Sequence, residues 1–133
     1  MIEPRLQQIA LLARVALALM FVWHGLVPKI LWLSPDEVAM IQAHGFHSVA
    51  PIAQLAGLGE IALGLLLVLL RRQRWPLLLV AAVLLGLLLD VAWFSPHLLF
   101  QAFNPLSTNL AGLALCLLAW LAEKPLPGPL QPH

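Results

Sequence analysis

Apolar residues in this chain do not alternate with polar ones at the period of a strand; they run in long blocks broken by a few small or polar side chains. A helix that crosses a bilayer needs roughly 20 mainly apolar residues. Four such stretches can be cut here, at residues 6–27, 49–70, 75–94 and 106–121. Pro28, Pro51, Pro76, Pro96 and Pro105 fall at or near the ends of these blocks, where proline is tolerated. The pattern predicts an all-α fold, a polytopic membrane protein built as a four-transmembrane-helix bundle, with one domain over residues 1–124 and a proline-rich tail over 125–133. The closing segment EKPLPGPLQPH cannot continue the fourth helix and is expected to be exposed and mobile.

The longest connection contains LSPDEVAMIQAHGFH, which reads as a short extra surface helix over residues 35–44. Ser34 suits its N-cap, Pro35 its first turn, Asp36 and Glu37 the positive end of its dipole, and Gly45 its end, with Glu37 completing a capping box. Val38 and Ile41 share one side, so this helix is expected to lie on the membrane surface or cap the bundle. It serves either as a plain connector or as a lid over a pocket.

Small residues mark an inward face on each span. Ala10, Arg14, Ala18, Phe21 and Gly25 form a stripe on the first, and Ala53, Gly57, Glu60 and Gly64 form one on the second. The third has Val83, Gly86 and Asp90, and the fourth has Asn109, Gly112, Cys116 and Ala119.

Composition sharpens the membrane reading. With 62% hydrophobic and 10% charged residues among 133, the chain has too few polar side chains to cover a water-soluble globule. The net charge of +1 comes from dispersed cations without a basic stripe, so nucleic acid is not an expected partner. The lipid bilayer is. Short cytoplasmic loops are enriched in Lys and Arg, and Arg5, Arg71, Arg72, Arg74 and Lys124 lie on one side against Lys29 on the other. Trp75 and Trp120 then fall at the inner interface, and Trp23, Trp32 and Trp93 at the outer one. The expected location is a bacterial-type cytoplasmic (inner) membrane, multi-pass, with both termini cytoplasmic. A signal peptide cut near Ala16, Leu17 and Ala18 is the alternative for the first block, whose length favours a retained helix.

Ionisable groups at membrane depth are unfavourable, by roughly 2.5–3.5 kcal/mol at a helix centre, and therefore mark function by default. Arg14, Glu60 and Asp90 are of this kind. Counted from Arg5 and from Arg71, Arg14 and Glu60 lie at similar depths on antiparallel helices, roughly 13 and 16 Å in. A buried Arg14–Glu60 ion pair is the simplest expectation, as a fixer of helix register or as part of a substrate, proton or quinone site. Near the outer side His24, Asp90 and Asn109, with Lys29, Asn104 and Thr108 close by, are expected to form a half-polar vestibule in which His24 hydrogen-bonds Asp90. Arg14, His24, Lys29, Glu60, Asp90, Asn104 and Asn109 are the ligand-pocket candidates. No catalytic residue can be named. His44, His47 and His97 lack ligand-like spacing, so no metal is expected, and no cofactor is evident apart from a quinone as candidate ligand. The single cysteine, Cys116, excludes an intrachain disulfide and dithiol chemistry, and reads as a buried filler.

Arg14, WHGLVPK (23–29), GLGEIALG (57–64) and FNPLSTN (103–109), in this order and topology, resemble the DoxX-like family of small four-helix membrane proteins over nearly the whole chain. The positions that carry the likeness are Arg14, His24, Gly25, Lys29, Glu60, Asn104, Pro105 and Asn109. Members similar to this chain occur alone or fused to NAD(P)-binding oxidoreductase domains, and the founding relative is a membrane subunit of a thiosulfate:quinone oxidoreductase. The resemblance thus implies an accessory or membrane-anchoring subunit of a redox system, beside a soluble or membrane oxidoreductase partner, holding a quinone-like or other small amphipathic ligand. With no nucleotide-binding fingerprint or cysteine pair, the chain is not expected to be a self-sufficient enzyme. The alternatives are a non-catalytic structural or interaction module, and a small transporter or channel-like homo-oligomer, which lacks the inverted repeat usual in transporters.

Overall fold

Prolines open the helices of this protein. The computed structural model describes residues 3–123, so Lys124 and the tail over 125–133 lie outside the described residues. Five α-helices are described: α1 (Pro4–Leu26), α2 (Pro35–Ala43), α3 (Val49–Leu69), α4 (Trp75–Phe94) and α5 (Pro105–Ala122). Pro4, Pro35, Pro76 and Pro105 sit in the first two positions of their helices, where the missing N–H has no intrahelical acceptor to lose. All but α2 are long and apolar enough to cross a membrane, which makes the chain a multi-pass membrane protein.

The bundle is organised around α1, which packs most extensively on α3 and next on α5, while α4 packs mainly on α5. Consecutive helices α3 and α4 barely touch, and α2 reaches across from one to the other. The core joins Ala13, Leu17 and Phe21 of α1 to Leu67 of α3, Leu77, Val80 and Leu84 of α4, and Cys116 and Ala119 of α5. Leu12, Leu19, Leu55, Leu69 and Leu89 are exposed on the periphery, as lipid-facing side chains should be.

Glycine sets the closest approach. A Cβ on Gly25 would lie 2.5 Å from the carbonyl oxygen of Gly57, and one on Gly57 would meet the carbonyl of Gly25 in return. Further along the same seam, a Cβ on Gly64 would be 2.9 Å from the Ala18 carbonyl. These contacts fix the antiparallel register of α1 on α3.

Three local features differ from the sequence expectations. The first span does not stop at Pro28 but continues as a π-helical turn over Val27–Leu31, closed by a bond from the Trp32 N–H to the Val27 carbonyl, 2.9 Å. The buried face of α4 is Pro76, Leu77, Val80, Leu84 and Val91, whereas the expected Gly86 has open space around it and Asp90 is only half-buried. Leucine occurs all round α4, so its sequence has little contrast between faces. A 3₁₀ turn over Pro96–Phe100 leads into α5.

Candidate functional site

The two groups expected to pair at mid-membrane lie at different levels. With Gly25 against Gly57 and Ala18 against Gly64, the seam puts Arg14 level with Leu67 and Glu60 two turns further along. The first turns of α1 bury no residue before Ala10, so Arg14 lies near that end of the bundle and counting depth from Arg5 places it too deep. Arg14 pairs instead with Glu123 just past the end of α5: Nε donates to Oε1 at 2.6 Å and an Nη2 N–H to Oε2 at 3.0 Å. It also donates to the Leu67 carbonyl at 2.9 Å and the Gln73 carbonyl at 2.6 Å. Glu123, assigned from sequence to the mobile tail, is a held partner of a fully buried arginine. The signal was present, since Glu123 continues the three-four spacing of Asn109, Gly112, Cys116 and Ala119.

Glu60 finds its cation at the opposite end of the bundle. Its Oε1 lies 3.2 Å from the Lys29 ammonium, which also donates to Glu37 Oε1 at 2.8 Å. The π turn presents Lys29 in this way. Pro28 has no N–H to give the His24 carbonyl one turn back, and Lys29 Nζ lies 3.5 Å from that oxygen. Glu37 is drawn off to Lys29, so the capping box of α2 is half made: Ser34 Oγ accepts from the Glu37 N–H at 3.2 Å, while the Ser34 N–H bonds the Pro28 carbonyl. Gly45 ends the helix at φ 86°.

The histidine beside Asp90 is His44, not His24. His44 Nε2 is 2.7 Å from Asp90 Oδ1 and Nδ1 is 2.7 Å from the Met40 carbonyl, with the ring 4.1 Å from that of Phe94. Both ring nitrogens face acceptors, an arrangement that only the imidazolium satisfies with two donors. The hydrogen bond to the Asp90 carboxylate, and then that to Met40, raise the His44 pKa above its usual 6.5. Sequence reading weighed His44 only as a metal ligand; the signal for its pairing was the spacing Glu37, Met40, Ile41, His44 on the half-buried side of α2.

The two links, Lys29–Glu37 and His44–Asp90, hold α2 over a cavity of about 560 Å³. Its wall brings together His24, Lys29, Glu60, Asp90, Asn104, Thr108 and Asn109, with Asp36, Glu37 and His44 from the α2 side. Met40, Ile41, Ile52, Leu87, Val91, Leu98 and Phe103 supply an apolar lining. The volume suits a small organic ligand. Arg14 is not part of this cavity. Asn104 and Asn109 are engaged structurally: Asn104 Oδ1 caps α5 by accepting from the Ser107 N–H at 2.9 Å, and Asn109 Nδ2 donates to the Leu84 carbonyl of α4 at 3.0 Å. Glu60 Oε2 is different, being buried with no hydrogen-bond partner. Among the described residues no three His, Cys, Asp or Glu side chains group as a metal site would require.

A sequence model of the DoxX-like family matches residues 18–117. That segment includes every cavity group named above and stops short of both Arg14 and Glu123. No curated protein and no solved structure matches the chain.

Proposed function

The chain belongs to the DoxX-like family of membrane proteins, and from that premise we propose that it binds a small amphipathic ligand beneath α2 as an accessory or anchoring subunit of a redox system. The observation that carries this reading is the buried, unpartnered Glu60 Oε2 in the wall of a half-polar cavity. A carboxylate oxygen left in that state is stabilised by a ligand that donates a hydrogen bond to it. Lys29 has little to offer in return, because three acceptors, Glu37 Oε1, Glu60 Oε1 and the His24 carbonyl, already surround its three N–H groups. The ligand's polar end is therefore a donor and its body is apolar, lying along Ile41, Leu87 and Val91. The hydroxyls of a quinol meet this requirement better than the carbonyls of the oxidised quinone. Electron transfer belongs to a partner oxidoreductase, and this chain's part is to hold and orient the ligand. The arginine-bearing end faces the cytoplasm of a bacterial-type inner membrane in this reading, with α2 outside.

A short-chain benzoquinol titrated anaerobically into the detergent-solubilised protein should quench tryptophan fluorescence saturably. Glu60→Gln should weaken binding at least tenfold with helicity unchanged, and the oxidised benzoquinone should bind less tightly than the quinol. Equal affinities in wild type and Glu60→Gln, or no saturation, would sink the idea. A purely structural module is the second reading, favoured by Arg14 and Asn109, whose side chains serve internal bonds.

A further inference from the structure

A second cavity, about 570 Å³, opens at the other end of the bundle among the start of α1, the α3–α4 turn and the end of α5. Among the described residues, Arg14, Arg71, Arg72 and Arg74 line it against one carboxylate, Glu123. Arg14 and Glu123 neutralise each other through two hydrogen bonds, so three positive charges remain. Arg71 and Arg72 are exposed and make no ion pair with any described residue. Arg74 is built into the wall: Nη2 donates to the Trp120 carbonyl at 2.8 Å and the guanidinium lies 3.6 Å from the centre of the Trp120 ring. Yet its Nε–H is buried and has no acceptor.

A preference for cations on one side of the membrane explains arginines scattered over a loop. It does not require that they converge on a cavity, or that one be locked on an indole with a buried donor unused. A guanidinium fixed in this way matches the planar, two-donor recognition of a phosphate group, and the two exposed arginines beside it can reach the remaining oxygens. The cavity also has an apolar side, Ala10 and the exposed Leu11 of α1, continuous with the lipid-facing surface. We propose that the arginine-end cavity binds one phosphate-bearing anion, in the membrane the headgroup of an acidic phospholipid whose acyl chain runs along Leu11. The site stands on different residues from the α2 cavity and does not depend on what that cavity holds.

The test uses dioctanoyl phosphatidylglycerol, dioctanoyl phosphatidylcholine and inorganic phosphate, each titrated into the protein in neutral detergent, with tryptophan fluorescence and native mass spectrometry as readouts. Phosphatidylglycerol should fill one site at least tenfold more tightly than phosphatidylcholine. Its affinity should fall about fivefold in Arg71→Gln and further in the Arg71→Gln, Arg72→Gln double variant, in line with the effect of single basic residues at a membrane surface. Inorganic phosphate that displaces the lipid at equal concentration would identify the free anion as occupant, and failure to displace it identifies the headgroup. Phosphatidylcholine binding as tightly as phosphatidylglycerol, or an unchanged affinity in the double variant, overturns the proposal. Salt titration of the unmodified protein checks this without substitution, because a headgroup held by arginines must loosen as ionic strength rises.

Discussion

Arg14 donates four hydrogen bonds to groups of the protein, two to Glu123 and two to backbone carbonyls. Arg14→Ala would leave the mostly buried Glu123 without its hydrogen-bonded partner and deprive the Leu67 and Gln73 carbonyls of their donor. Breaking one partner of a buried pair in this way should destabilise the protein by about 3–5 kcal/mol, measured by denaturant titration in detergent. Adding Glu123→Ala should recover part of the loss, whereas adding Glu60→Ala should recover none; recovery by Glu60→Ala would mean that Arg14 and Glu60 communicate after all. Single residues were legible where helical spacing decides their direction, as for the buried Arg14, Gly57 and Asn109. Partners were not legible, because a partner depends on the axial offset between helices. The Gly25–Gly57 contact sets that offset, and nothing in either stripe alone reveals which glycine meets which. His44 was hidden for a similar reason: Asp90 reaches it from 46 positions away in the chain, through the placement of α2 across α3 and α4.

At the scale of elements, α2 is the piece whose position depends on charge. It has no fully buried residue and is tied down by Lys29–Glu37 on one side and His44–Asp90 on the other. The folded protein raises the His44 pKa, so the stabilisation from its link to Asp90 is fully present below the ordinary value of 6.5 and is lost as pH climbs through the raised one. Amide exchange in α2, corrected for intrinsic rates, should therefore accelerate from pH 6 to pH 9. In His44→Gln it should be fast at both, and an exchange rate in the wild type that ignores pH would contradict the assignment. The long helices were readable from the apolar blocks, and their α-helical ends lie within two residues of the hydropathy cuts, helped by the prolines at several of them. The same rule misread Pro28. A proline that removes one backbone bond can end a helix or widen it into a π turn, and the choice fell to the contacts of Lys29 with Glu37 and Glu60.

At the scale of the whole molecule, the bundle separates charge along its axis. Among the described residues, the cavity under α2 has Asp36, Glu37, Glu60 and Asp90 in its wall against Lys29, and the opposite cavity has four arginines to one carboxylate. Such polarity orients a small membrane protein during insertion, since arginine-rich connections are retained on the cytoplasmic side. The turn over residues 71–74 should then be cytoplasmic, and the connection over residues 95–104 should face out. Cysteine labelling can test this directly, because the native Cys116 is buried in the bundle core and gives little background. Gln73 and Gln101 are both exposed, one at each end. In intact cells a membrane-impermeant maleimide should modify Gln101→Cys and spare Gln73→Cys until the membrane is permeabilised. The reverse pattern would invert the molecule and put α2 and its cavity in the cytoplasm. It would also move the arginine-end cavity to the outer leaflet, so the labelling result decides which lipid surface and which aqueous phase each cavity meets.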